Sequence, residues 1–318
     1  MTTATFKHID PKTYDPNATA PFHKPWSKVD GPGSSFDLIS LPRHVTNLRH
    51  HQPEHTKFTI DTAGFSLHHA PSTEKAFTDE TIIRTAYYAE VETLLRTLHP
   101  GITKVVPFDH TIRRRAAGSP RSPVEMLHVD QTPAAAEARV RRHLPADEAD
   151  SILLHPNNND DNTKQNKGKR YQIINVWRPI ENPATDYPLS VIDWRSTTPA
   201  DFVPVDLLYP ASTQSETDST GKEVAPEPGS ATSTAGYAVR GEIYVVAPSE
   251  AHRFYYVSDM VPEEVMLIKC FDSWSETMLG EEGRGVAHAG GHSAFCDPNT
   301  PEGVPGRQSI EVRCLVFY

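Results

Sequence analysis

His128 and Asp130 stand two residues apart in EMLHVDQTP, at the end of a short apolar run. On a β-strand, residues i and i+2 point to the same face. An imidazole nitrogen and a carboxylate oxygen can therefore meet at one point. A further histidine from a facing strand would complete a 2-His-1-carboxylate set. That set covers one face of an octahedron and leaves three positions open, the setting of non-haem iron(II) and O2. Taken alone, HxD is equally the ordinary end of a strand running into an aspartate turn.

Candidates for the third ligand lie near the end of the sequence, where RGVAHAGGHSAF carries His288 and His292. His292 is favoured because it adjoins the strand-like SAF, whereas His288 sits in the AHAGG loop. His252, opening HRFYYV, could face the same interior, and its plain role is that of a buried, hydrogen-bonded core histidine. The N-terminal histidines (His44, His50, His51, His55, His68 and His69) lack ligand context and are expected at the surface or in packing. A 2-oxo acid chelates a metal through its keto-carboxylate end and leaves a far carboxylate to be met. Arginine offers a planar two-pronged fork for it. Arg307 is the first candidate and Arg313 the second. Alternation puts Arg313 on one side with Ser309, Glu311 and Leu315, so its plain role is an ion pair with Glu311. Asp193, Trp194 and Arg195 suggest a structural ion pair beside a packed indole, or a contact with substrate.

These residues need strands to carry them. Apolar runs of strand length recur at KVVPFDHTIRRR, VEMLHV, YQIINVW, PLSVIDW, EIYVVAP, HRFYYV, EEVMLIKCFDS and SIEVRCLVFY. In the last, Ile310, Val312, Cys314 and Val316 alternate with Glu311, Arg313, Leu315 and Phe317. Thr78 to His99 predicts a long helix, with Ile83, Tyr87, Val91, Leu94, Leu95 and Leu98 at helical spacing and HPG closing it. Thr132-Pro133 opens another helix as N-cap and first-turn proline. The fold expected is mainly β with supporting helices: a double-stranded β-helix (jelly roll, cupin-like) with a long buttressing helix. Residues 1–75 are expected as an extended arm packed on the core, with one or two strands near FTIDTAGFSLHH. Residues 76–318 form the jelly-roll domain, with polar loop insertions at 157–169 and 211–236.

Composition narrows the function classes. The chain has 318 residues and a net charge of −10, which argues against a nucleic-acid surface. The basic run Arg113 to Arg115 lacks interleaved aromatics and reads as a solvated face. The 28 prolines outnumber the 17 glycines, which suits many short elements joined by ordered loops. No run of 18 apolar residues occurs, so no membrane span is expected. The first residues hold no signal-peptide core, and the odd set Cys270, Cys296 and Cys314 suits reduced thiols. A cytoplasmic protein acting on a small molecule is expected, and a homo-oligomer is compatible with the sequence. GxGxxG, Walker and GxSxG motifs are absent.

The blocks HVDQTP, RYQIINVWRPI, PLSVIDWRS, HRFYYVSDMVPEEVMLIKCFDS and GHSAFCDP…GRQSIEVRCLVFY resemble those of the fungal hydroxylase/desaturase family called AsaB-like or CmcJ-like. The similarity runs from about the long helix to the last residue. It implies a jelly-roll iron(II)/2-oxoglutarate oxygenase of secondary metabolites. By the resemblance, His128 and Asp130 match the metal pair and His292 matches the distal histidine. Arg307 matches the 2-oxoglutarate anchor, and Asn175, Trp177 and Arg178, in NxWRP, line the pocket. The implied reaction uses O2 and releases succinate and CO2. It removes hydrogen from an unactivated C–H bond and ends in hydroxylation, desaturation or ring closure. The alternatives are a zinc hydrolase, which would need no arginine after the distal histidine, and a catalytically silent jelly-roll binding protein.

Overall fold

The computed structural model describes residues 2–15, 24–29, 33–50, 58–117, 119, 121–153, 169–211, 233–275 and 285–318. Apart from their edges, the stretches expected as insertions at 157–169 and 211–236 lie outside the described residues. The strands are Thr2–Ile9 (β1), Trp26–Lys28 (β2), Leu38–Asn47 (β3), Phe65–His69 (β4), Lys104–Arg114 (β5), His128–Val129 (β6), Tyr171–Pro179 (β7), Leu189–Ile192 (β8), Phe202–Pro210 (β9), Tyr237–Val246 (β10), Phe254–Tyr256 (β11), Glu264–Asp272 (β12), His292–Ala294 (β13) and Gln308–Phe317 (β14). They form two sheets. One has five strands in the order β4-β12-β7-β14-β5. The other has nine, in the order β1-β3-β11-β8-β13-β6-β10-β9-β2. Residues 1–75, expected as an arm, supply β1 to β4. Strand β1, at one edge of the large sheet, pairs antiparallel with β3, and β3 pairs parallel with β11.

The long helix is observed as Glu80–Ile82 (α1), a π-turn over Ile83–Tyr87, and Tyr88–Leu98 (α2). Asp79 caps it, accepting hydrogen bonds from the backbone N–H groups of Thr81 and Ile82. Ile83, Tyr87, Val91 and Leu95 form its buried stripe and pack on Ile174, Val176, Val312 and Cys314, the outer face of β7 and β14. Each such side chain contributes roughly 1.5–3 kcal/mol by burial. The helix thus backs the strands whose other face carries polar chemistry. Pro133–His143 (α3) opens as expected, with Pro133 in its first turn and the Thr132 hydroxyl accepting from Ala135 N. With Ala146–Leu153 (α4), it packs Ala136, Val140, Ile152 and Leu153 into the core beside Phe108, Tyr171 and Phe317. Among the described residues no helix is long and apolar enough to cross a membrane.

Register determines what the inner face of the five-stranded sheet presents. Ser309 lies opposite Arg113 and Pro179, Glu311 opposite Thr111 and Trp177, and Arg313 opposite Asp109 and Asn175. Leu315 lies opposite Ile173. The row along β14 is therefore polar up to Arg313 and apolar beyond it.

Candidate metal centre

Strands β6 and β13 pair at a single position, His292 opposite His128. The two imidazole rings lie 4.5 Å apart, centre to centre. His128 Nδ1 donates to Met126 O at 2.8 Å, and His292 Nδ1 donates to Gly290 O at 3.1 Å. With Nδ1 committed in each ring, Nε2 carries the free lone pair and faces inward. His128 Nε2 lies 3.3 Å from Asp130 Oδ1, and His292 Nε2 is buried without a partner among the described residues. One ligand atom from each of His128, Asp130 and His292 falls within 4.8 Å of the others. Two neutral imidazole nitrogens, a carboxylate and outer hydrogen bonds to backbone carbonyls make a donor set that fits iron(II).

The surroundings fix the charge states. Burial acts to raise the Asp130 pKa, but the Arg313 guanidinium and the two histidines hold it well below the usual carboxylate range. Its Oδ2 accepts from Arg313 Nε at 2.7 Å and Asn175 Nδ2 at 2.8 Å, which leaves Oδ1 toward the histidines. Burial and His128 push His292 down to about 4, so its ring is neutral and able to ligate.

A cavity at this cluster is lined by Arg113, Trp177, Leu189, Arg307, Ser309 and Glu311 together with His128 and His292. Arg307 lies against the Trp177 ring, 5.4 Å from its centre, and donates NH1 to Tyr187 O at 2.7 Å. Its Nε is buried and has no hydrogen-bond partner among the described residues. Burial and nearby Arg113 lower its pKa to about 9, still above neutrality. A buried cation with unused donors calls for an anion. Arg313 differs. Its guanidinium bonds Asp130, Asp109 (3.0 Å), Thr111 Oγ1 (3.0 Å) and Glu311 (2.8 Å), so its donors are spent within the protein, the expected Glu311 pair among them.

The NxWRP residues divide by strand alternation. Asn175 bonds Asp130 and Trp177 lines the cavity. Arg178 does not reach the cavity: it points to the opposite face of β7, donating Nε to Tyr87 Oη at 2.9 Å beneath the long helix. The expectation that it lines the pocket is corrected accordingly. Arg113, expected on a solvated face, lines the cavity across from Ser309. His288 is buried in the interior outside the three-residue cluster, and His252 is buried beside Asp201 at 3.2 Å. Arg195 pairs with Asp193 at 2.8 Å.

Lys269 escaped the sequence reading, although a charge inside VMLIKCFD was its signal. It is fully buried, and Nζ donates to Asp61 Oδ1 (2.7 Å), Asp272 Oδ2 (2.7 Å) and Ala287 O (3.0 Å). Its own carbonyl accepts from Gly290 N at 2.7 Å. Burial opposes ionisation of Asp272, yet Lys269 and Arg170 bring its pKa down to about 2. The network fixes the loop that delivers His292. Gly64, at φ +83°, and Gly290 touch there so closely that a Cβ on either would meet backbone oxygen at 2.7 Å.

A family model described as Oxidoreductase/YMDC permease-like domain matches residues 13–317. The hydroxylase/desaturase efuI of Hormonema carpetanum is 28% identical over 294 residues, covering 87% of this chain and 83% of the relative. Aspirochlorine biosynthesis protein N of Aspergillus oryzae is 35% identical over 188 residues, 59% of each chain. The Fe(II)/2-oxoglutarate-dependent dioxygenase nvfI of Aspergillus novofumigatus is 27% identical over 293 residues, covering 90% and 87%. A solved structure of the iron and alpha-ketoglutarate-dependent endoperoxidase NvfI superposes with a TM-score of 0.70 at 23% identity, covering 100% of this chain and 98% of that one. The expected jelly-roll fold is borne out.

Proposed function

The chain belongs to the Oxidoreductase/YMDC permease-like family, with fungal hydroxylase/desaturases and Fe(II)/2-oxoglutarate-dependent dioxygenases as relatives, and we propose that His128, Asp130 and His292 hold iron(II) in it while Arg307 anchors 2-oxoglutarate. On this reading it is a cytoplasmic enzyme of secondary metabolism. It removes hydrogen from an unactivated C–H bond of a small metabolite, leading to hydroxylation, desaturation or ring closure. It needs neither a nucleic-acid nor a membrane partner.

The observation that carries the proposal is the convergence of His128, Asp130 and His292 within 4.8 Å, with the other nitrogen of each ring tied to a carbonyl. Bound iron(II), with 2-oxoglutarate and O2, supplies the oxidising power, and succinate and CO2 leave. The chain's residues supply placement. Asn175 and Arg313 hold one oxygen of Asp130, so that the other faces the metal. Arg307 and Ser309 meet the far carboxylate, and Trp177 covers the Arg307 guanidinium from water. With three protein ligands supplied by His128, Asp130 and His292, a bound iron(II) would have room for the co-substrate and O2 as well.

Anaerobic titration of the protein with Fe(II) and 2-oxoglutarate tests this. A weak visible charge-transfer band is expected. His292→Ala should remove it, and His288→Ala should leave it. No band, or O2-independent hydrolysis supported by zinc, overturns the proposal.

A further inference from the structure

Arg307 stands just ahead of β14, yet its guanidinium is aimed from another segment of the chain. Among the described residues that guanidinium makes one hydrogen bond, from NH1 to Tyr187 O at 2.7 Å. The Trp177 ring, 5.4 Å away, gives it a face to lie against but no acceptor. The direction of the fork therefore follows the Tyr187 carbonyl.

Tyr187 has an unusual backbone. Its φ is +46°, in the left-handed region that a residue with a Cβ rarely adopts, and Pro188 follows it and narrows its choices further. Such a turn persists only where its surroundings hold it. Arg115 and Asp186 do so here. Arg115 N donates to Arg307 O at 2.8 Å, and Arg115 Nε donates to Asp186 Oδ2. The Arg115 guanidinium also lies over the Tyr187 ring, 4.9 Å from its centre. Asp186 is buried, and its Oδ2 accepts a second bond from Arg307 N at 3.4 Å. A Cβ on Gly306 would collide with Arg115 O, so the two backbones meet there with no room between them. Arg115, Asp186 and Tyr187 are not among the residues that line the cavity, whereas Arg307 is. What they do to the site passes through Arg307.

We propose that Tyr187, held in its turn by Asp186 and Arg115, is the positioning residue that fixes the reach of Arg307, and that this clamp makes the site selective for a five-carbon 2-oxo diacid over a longer one. This deepens the iron/2-oxoglutarate reading and rests on it. A fork held at one place meets the far carboxylate of 2-oxoglutarate and is misaligned for 2-oxoadipate, which is one methylene longer. Once freed, the same fork can follow either ligand, and the difference between them shrinks.

The test uses full-length protein loaded anaerobically with Fe(II), with 2-oxoglutarate and 2-oxoadipate as probes and the visible charge-transfer band as readout. Wild type should half-form the band with 2-oxoglutarate at about one-tenth of the 2-oxoadipate concentration, the worth of one well-placed hydrogen bond to a charged group. Arg115→Met and Asp186→Asn should each raise the 2-oxoglutarate value about tenfold and move the 2-oxoadipate value far less, so that the ratio approaches one. Arg115→Lys keeps a charge for Asp186 but loses the flat face over Tyr187, and it should fall between. Asp186→Asn is nearly isosteric and decides the matter if Arg115→Met folds poorly. A wild-type ratio near one, or the wild-type ratio retained in Asp186→Asn, overturns the proposal. So does an equal loss of both probes, the mark of a general weakening of the fold. A band without discrimination sinks the clamp alone, and a missing wild-type band sinks the metal reading with it.

Discussion

Arg313 Nε donates to Asp130 Oδ2 at 2.7 Å, so a guanidinium from the five-stranded sheet orients a carboxylate of the nine-stranded one. The same cation also contacts Asp109 and Glu311. Asp109, buried, and Asp130 and Glu311, half-buried, share this one counter-charge. Replacing Arg313 with Met should therefore lower iron(II) affinity roughly 10- to 100-fold, as loss of an outer partner of a ligand does. It should also cost about 3–5 kcal/mol of stability, because the carboxylates lose their counter-charge. Arg313→Lys, with charge but no fork, should fall between. Fe(II) titration and urea unfolding measure the two effects; unchanged metal affinity in Arg313→Met would refute the orienting role.

Arg307 should behave differently, since among the described residues its Nε is unpartnered and its guanidinium bonds Tyr187 O rather than a metal-ligand residue. Arg307→Met should leave Fe(II) affinity near wild type. It should weaken 2-oxoglutarate by about 2–5 kcal/mol, the usual cost of removing one partner of a buried charged pair. Arg307→Lys should recover part of the binding. The readout is the 2-oxoglutarate concentration at which the visible band is half formed.

Leu95 tests the support behind the site. It is fully buried between the long helix and β7 and β14, on the face away from the metal. Leu95→Ala should cost about 2–5 kcal/mol through lost burial and the cavity left behind. Below its lowered melting temperature, the folded variant should still give the full band. A band lost at temperatures where the fold persists would mean that the helix does more than brace the sheet.

Patterns with one clear period were legible from sequence. The helix declared itself through Ile83, Tyr87, Val91 and Leu95, which line one face at intervals of four. Strand β14 did so by strict alternation, with Ile310, Val312, Cys314 and Val316 outward under that helix. HVD was legible as a strand end because Thr132-Pro133 must turn the chain into a helix. Strands β1 and β3 were not: one side of β3 is exposed along much of its length, and its Pro42 and His44 blur the period. Arg113 and Arg178 were misplaced for one reason. A local motif groups neighbouring residues, while a strand sends them to opposite faces. Arg113 follows Thr111 and Asp109 inward, and Arg178 turns outward beside inward Trp177. The orientation of Asp130 by Arg313 depends on the register of two separate strands, which no single stretch of sequence contains.

Acid should unfold the metal-free protein early. His8 is fully buried, and burial, with Arg43 and His252 nearby, lowers its pKa to about 4. Burial does the same to His288, also to about 4. In the unfolded chain each titrates near 6.5. Between these values the unfolded state binds more protons, so stability rises with pH across the window. The contribution is complete above about 6.5 and shrinks as pH falls toward 4. At pH 5 each histidine should have cost about 2 kcal/mol, from a shift worth about 1.4 kcal/mol per pH unit. Asp272, lowered from 3.8 to about 2, acts only in the window below that, where its pairing with Lys269 is lost on protonation. Urea midpoints at pH 7.5 and pH 5.0 should therefore differ clearly in wild type, and His8→Gln should narrow the gap. Equal midpoints at the two pH values would mean that neither histidine is buried in its neutral form.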